Sequence, residues 1–264
     1  MGLLYKLINC SAMTIVCLKG IVAFICYGFY LGSFRIRLKK ELLIGAFLSF
    51  SSSTLFTVAN KLTTAGSAII LQYTNPVIIV LVSWLFLKHC PKRSDIIMVL
   101  VVMSGVFLFF ADDLAGGSAS GNICALISGM FLGLGTIYAS KVPPARYFML
   151  AELLAVFVGL PDAIRDIPHL TLTDIILITA LGSLSVFLAG VLFTKGMKHV
   201  EPVTASIVLM LDPILNPVWV ALFTGEIPGP LSIIGGVVVL IGVMYRTLNS
   251  AEHKLPGSQG KLNI

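Results

Sequence analysis

Two stretches, Ile70–Val82 "ILQYTNPVIIVLV" and Val208–Val220 "VLMLDPILNPVWV", set the terms on which this chain can fold. Each is apolar, and each is broken near its middle by a polar residue and a proline, Asn75-Pro76 and Asp212-Pro213. Proline inside a helix removes one backbone donor and crowds the carbonyl four residues earlier, at a cost of about 3 kcal/mol. A carboxylate in an apolar run costs more unless it is paired or neutralised. At membrane depth such breaks are tolerable only where the freed backbone faces protein or a wet cavity. The same defect occurring twice predicts one structural unit used twice.

The surroundings of both stretches are those of a membrane protein. Of the 264 residues, 57% are hydrophobic and 11% charged, where a soluble domain keeps about a quarter charged. Apolar runs long enough to cross a hydrocarbon core of about 30 Å fall near residues 13–33, 42–60, 66–87, 95–112, 121–140, 147–163, 174–194, 202–224 and 229–247. The expectation is an all-α polytopic protein with about nine transmembrane helices and short connectors, followed by a cytoplasmic tail over 249–264.

Most lysines and arginines lie in one set of alternate connectors. These hold Arg35, Arg37, Lys39 and Lys40, then Lys88, Lys92 and Arg93, then Lys141 and Arg146, then Lys195 and Lys198, then the tail. The opposite connectors, "ADDLAGGSASG", "PDAIRDIPHLTLTD" and "GEIPG", are acidic on balance, with Lys6, Lys61 and Arg165 as exceptions. This places the basic set and the C-terminus in the cytoplasm of a plasma (inner) membrane protein. It also accounts for the net charge of +6 without nucleic acid, which requires a continuous basic face. Cys10, Cys17, Cys26, Cys90 and Cys124 lack metal or disulfide spacing. No protease, hydrolase or nucleotide-binding motif occurs, so neither an enzyme nor an ATP-driven pump is expected, and no cofactor or metal. "MGLLYK" does not read as a cleavable signal peptide.

A shift of 137 residues lays Lys61–Val106 on Lys198–Val243 without a gap. Identities include Lys61/Lys198, Pro76/Pro213, Pro91/Pro228, Val102/Val239 and Gly105/Gly242. Five spans separate each element from its copy, so the copy crosses the membrane in the opposite sense. Inverted repeats of this kind are a common build of secondary transporters. The fold expected is two inverted repeats of a five-helix unit, 1–113 and 114–248. The second begins with "GNICALISGMFLGLGTIYASK", and Lys6 aligns with that helix's final Lys141. Most of the first helix of the first unit is thus expected to be missing, as in a truncated member or a chain starting downstream of its parent's start.

Both "NKLTTAGSAIILQYTNPVIIVLVSWLFLKHCPKRSDIIMVLVVMSGVFLFF" and "GMKHVEPVTASIVLMLDPILNPVWVALFTGEIPGPLSIIGGVVVLIGVMY" resemble the EamA-type unit of the drug/metabolite transporter superfamily. That unit has a small-residue helix start, a mid-helix proline, a Gly-Glu at the helix end and a glycine-rich last helix. The second copy fits better, with Ala205, Pro213, Gly225-Glu226, Gly235-Gly236 and Gly242-Val243, while His89 and Met98-Val99 depart from the pattern in the first. Lys19 stands where the family commonly has an arginine. The resemblance implies a carrier of amino acids, other metabolites or drugs, usually an exporter.

Substrate sites of such carriers lie at helix interruptions near the midplane, between the repeats. Gln72, Tyr73, Asn75, Asp212 and Asn216 are therefore candidates to bind a polar small-molecule substrate. Tyr138 joins them on the counterpart of the missing helix, and Pro76 and Pro213 supply the kinks. Two intramembrane charges besides Asp212, namely Glu152 and Lys19, are candidates for ion coupling, because ionisable groups at membrane depth are functional candidates by default. The plainer readings are prolines that kink helices for packing, a static Lys19–Glu152 bridge, and a lysine snorkelling outward. Gly129-x-x-x-Gly133 with Gly135, Gly182 with Gly190, and Gly235-Gly236 with Gly242 read as close-packing faces. The partners expected are the substrate and the lipid bilayer, with a homodimer left open. The alternatives are a flippase accessory subunit and an inactive truncated carrier.

Overall fold

The computed structural model describes residues 2–35, 39–85, 90–114, 118–139, 144–196, 211–225 and 229–252. Among them the chain is helical, with no strand. A short α1 (Gly2–Leu7) precedes α2 (Ala12–Leu31), α3 (Lys40–Leu62), α4 (Ala65–Gln72), α5 (Asn75–Leu85) and α6 (Arg93–Leu114). Then come α7 (Ala119–Ala139), α8 (Pro144–Asp166), a 3-10 turn over Ile167–His169 and α9 (Leu172–Ala180). A π-helical stretch, Leu181–Leu188, runs into α10 (Ala189–Gly196), and α11 (Leu211–Thr224) and α12 (Pro230–Glu252) complete the described chain.

Among the described residues six segments are long and apolar enough to cross a membrane: Ala12–Leu31, Lys40–Leu62, Ala65–Val82, Ala119–Tyr138, Ala145–His169 and Leu172–Leu192. Pro230–Arg246 is a shorter apolar helix, and α6 and α11 occupy the two remaining expected spans. Of the expected span 202–224 only residues 211–224 are described. Phe29, Leu100, Phe107, Phe157, Leu172 and Leu222 are all exposed and form an apolar perimeter suited to acyl chains.

Equivalent helices of the two halves meet: α6 packs on α12 and α2 on α8. In the first seam a Cβ added to Gly105 would lie 2.7 Å from Val239 and from the Gly235 carbonyl oxygen. A Cβ added to Gly242 would lie 3.1 Å from Val102. The 137-residue shift exchanges these two contacts, carrying Gly105 onto Gly242 and Val102 onto Val239. Reciprocity of this sort marks a twofold relation, so the repeats are related by a pseudo-twofold axis that passes through this seam.

The proline break sits slightly upstream of where the sequence suggests. Pro76 crowds the carbonyl of Gln72 and offers it no N–H, so α4 ends at Gln72 and α5 resumes at Asn75. Tyr73 and Thr74 form the turn between them, with the Thr74 hydroxyl donating to the Leu71 carbonyl at 2.8 Å. The glycines of α7 let its backbone come up against this break. A Cβ at Gly129 would meet the Gln72 carbonyl at 2.6 Å, and one at Gly133 the Asn75 carbonyl at 2.9 Å. Gly182 in the π-helical stretch likewise faces the Lys19 carbonyl, at 2.6 Å.

Candidate functional site

Near the middle of α2, α3, α7 and α8, and at the end of α4, runs a layer of polar side chains. The Lys19 ammonium donates to Ser53 Oγ at 2.6 Å and lies 5.9 Å from the ring centre of Tyr5. One residue along α3, Ser52 exchanges hydrogen bonds with Ser128 of α7. Ser128 Oγ donates to the Ser52 carbonyl at 2.8 Å, and Ser52 Oγ donates to the Ser128 carbonyl at 3.1 Å. Gln72 Nε2, at the end of α4, donates to Ser128 Oγ at 2.8 Å. Side chains from three helices thus converge on the break before Pro76.

Lys19 is 1% exposed and Glu152 6%, and their helices touch so closely that a Cβ at Gly20 would sit 2.9 Å from the Glu152 carbonyl. Even so, the two charges form no bridge. Lys19 hydrogen-bonds Ser53, and Glu152 Oε2 has no hydrogen-bond partner. Each charge is several kcal/mol costlier buried unpaired than solvated. Neither a static bridge nor snorkelling describes this lysine.

The remaining candidates separate. Tyr73 and Asn75 are half-buried at the break, beside Gln72. Asn216 is buried at 4% exposure, and its Oδ1 accepts from the Gly2 N–H at 3.0 Å while its Nδ2 donates to the Ala65 carbonyl at 3.5 Å. It therefore joins α11 to the beginning of α4, the end of that helix away from the break. Tyr138 lies toward the other end of α7, where its hydroxyl donates to the Glu41 carbonyl at 2.8 Å and its ring is T-stacked on Tyr147. The side chains of Asp212 and Pro213 lie outside the described residues.

Sequence reasoning passed over Ser52, Ser53 and Ser128. The signal was available in "SFSSST", residues 49–54, a polar tract inside an apolar span. It also passed over a network at the acidic end of the bundle. Lys6 and Lys61, the two lysines out of place in the charge count, cap each other's helices. Lys6 Nζ donates to the Thr63 carbonyl beyond α3 at 2.7 Å, and Lys61 Nζ donates to the Ile8 carbonyl beyond α1 at 2.5 Å. A cation at a helix C-terminus is favoured by the helix dipole and by the unpaired carbonyls there. Asp174 Oδ1 accepts from the Asn9 N–H at 2.8 Å. Asp166 Oδ2 accepts from the Ser11 N–H at 3.0 Å and from Thr14 Oγ1 at 2.6 Å.

Residues 3–111 and 119–247 each match the sequence model described as EamA-like transporter family. The pseudopaline exporter CntI of Pseudomonas aeruginosa is 27% identical over 182 residues, 67% of this chain and 63% of that protein. The uncharacterized transporter YwfM of Bacillus subtilis is 26% identical over 204 residues, 72% of this chain and 66% of that one. The chain therefore spans slightly less than two thirds of the length of these relatives. A solved crystal structure has the same fold at a TM-score of 0.58 and 16% identity, over 90% of this chain and 89% of its own.

Proposed function

The chain belongs to the EamA-like transporter family, and from that premise we propose that it is a secondary carrier of a small polar metabolite, amino acid-like, or of a drug. It works by alternating access, with the units 1–113 and 114–248 rocking about a site between them. The membrane is the plasma (inner) membrane, with the C-terminus on the cytoplasmic side. Export is the direction, in keeping with the relative whose name is that of an exporter.

The observation that carries this reading is the pair of buried, unbridged charges at mid-helix, Lys19 and Glu152, on a seam between the repeats. A membrane protein that keeps such charges ordinarily uses them. Lys19 and Ser53 suit an anionic or hydrogen-bonding part of the substrate, and Gln72, Ser128, Tyr73 and Asn75 suit its polar remainder at the broken helix. Glu152 is the group that would carry a proton, with Asp212 its counterpart on the second kinked helix. Asn216 and Tyr138 flank the path nearer its two ends.

Efflux of labelled amino acids from vesicles containing the protein tests the proposal, with Lys19→Met and Glu152→Gln beside it. Both variants are expected to lose at least about tenfold of the rate, because each removes a charge the site uses. Wild-type efflux in both would remove the site. Efflux indifferent to a pH gradient would remove the proton from the cycle while leaving the carrier.

A further inference from the structure

Asp166 closes α8 and Asp174 stands in the first turn of α9, so both belong to the second repeat, yet each gives an oxygen to the first. Asp174 divides its carboxylate. Oδ2 completes the capping box of α9 with Thr171, whose hydroxyl donates at 2.6 Å, while Oδ1 takes the Asn9 N–H. Asp166 occupies the C-terminal end of its own helix, where an anion opposes the dipole. It is compensated by facing the start of α2, where the N–H of the N-cap Ser11 and the Thr14 hydroxyl donate to it. The second repeat thereby caps the helix of the first that carries Lys19, about one and a half to two turns further along.

Contacts of this type suit a joint that opens. Parting the α6–α12 seam would expose valine and backbone to solvent or lipid, whereas water can replace the donors and acceptors at the acidic end. While formed, the bonds are charge-assisted and strong. They are few, and they hold the connector at Asn9–Ser11 and the first turn of α2, at the end of the α2–α8 seam. We propose that Asp166 and Asp174 form a latch between the repeats that holds the acidic end of the transport path closed and must release α2 for that end to open. The inference rests on the transport reading, but its test needs no substrate.

A reporter is built in. Cys10 lies between the two latched residues Asn9 and Ser11, half-buried, and burial, with smaller contributions from the Asp166 and Asp174 carboxylates, pushes its thiol up to about 11. Alkylation proceeds through the thiolate, so a closed latch keeps Cys10 slow and a released one frees it. The full chain in lipid nanodiscs is treated with N-ethylmaleimide at one neutral pH, and each cysteine is read separately by peptide mass spectrometry. Asp166→Asn with Asp174→Asn is expected to speed Cys10 by at least about tenfold, up to about 100-fold if its thiol returns to its ordinary range. Thr14→Val, which removes a single donor, is expected to give about threefold. Cys17, fully buried deeper in α2, and Cys90, exposed at the other end, should keep wild-type rates. Unchanged Cys10 labelling overturns the latch, as does a rise in the double variant with none in Thr14→Val, which leaves both carboxylates beside Cys10. So does a joint rise of Cys10 and Cys17, which would mean that α2 itself had come apart. Should the double variant fail to fold, the Thr14→Val ratio decides alone. Absent efflux with a responsive Cys10 would discard the transport reading and keep the interdomain latch. Normal efflux with an unresponsive Cys10 would do the reverse.

Discussion

The α6–α12 and α2–α8 seams are both built from a helix and its own repeat-equivalent, and they differ in what they bury. The first is glycine and valine along its length, with Gly105 against the Gly235 carbonyl and Val239, and Gly242 against Val101 and Val102, and one ion pair crosses its end, Arg246 Nε to Asp95 Oδ1 at 3.0 Å. The second uses glycine in the same way, Gly20 over the Glu152 carbonyl and Gly159 over the Met13 carbonyl, but it buries Lys19 and Glu152 beside that contact. Packing alone therefore needs no unpaired charge here, since Arg246 and Asp95 of the first seam pair with each other. The unbridged charges in the second are an expense that close helix contact does not require, and this difference sets α2 and α8 apart.

The sharpest way to break the comparison is to spoil the glycine–valine seam. Gly105→Ala places a methyl 2.7 Å from a backbone oxygen, which cannot rotate aside, and overpacking of this kind costs about 1–3 kcal/mol or more. Gly242→Ala meets the side-chain tips of Val101 and Val102 at 3.0 and 3.1 Å, which can yield. Thermal unfolding of the purified protein should show a large loss for the first and a clearly smaller one for the second. Equal losses would mean that the backbone contact is not what fixes the seam.

Next in size is the charged seam, where stability and activity should part company. Glu152→Gln removes a buried carboxylate that has an unpartnered oxygen and inserts a neutral group of the same shape. Burying a carboxylate with an unpartnered oxygen is costly, so the unfolding midpoint should hold or rise while efflux falls. A fall in the midpoint as large as that of Gly105→Ala would make Glu152 a structural residue and erase the contrast between the seams.

Much of this was legible in the sequence, for reasons that can be stated residue by residue. Span positions follow from the length of apolar runs against bilayer thickness, and the repeat follows from Pro76/Pro213 and Gly105/Gly242. Those matches persist because backbone constraints at a kink or a close contact admit few residue types. Lys19 and Glu152 stood out because charge is rare at that depth. What did not show was which side chains meet. Asn216 and Tyr138 were candidates by helix and depth, yet they bond to the Ala65 and Glu41 carbonyls, and hydrogen bonds to backbone leave no trace in residue identity. The serines of α3 and α7 were unremarkable singly and meaningful only when Ser52 faced Ser128. The turn at Tyr73 and Thr74 was displaced from Pro76 because proline acts on the carbonyl four residues before it.

The smallest effects concern a third meeting of helices, the reciprocal caps at the acidic end, which is polar like the second seam but structural like the first. Lys6→Met removes the donor to the Thr63 carbonyl, and Lys61→Met removes the donor to the Ile8 carbonyl. Each is expected to cost about 1 kcal/mol, the worth of a hydrogen bond to a charged group at a partly solvated helix end. Amide exchange should separate them. Lys6→Met loosens the last turn of α3, where the Thr63 N–H donates to the Ala59 carbonyl, and Lys61→Met loosens the connector over residues 8–11. Because the two lysines repel each other, each single variant relieves that repulsion and the double variant should cost slightly more than the sum of the two. Loosening of the mutated residue's own helix, with the opposite helix unmoved, would refute the crossed arrangement and leave the acidic connectors with two lysines that the fold does not explain.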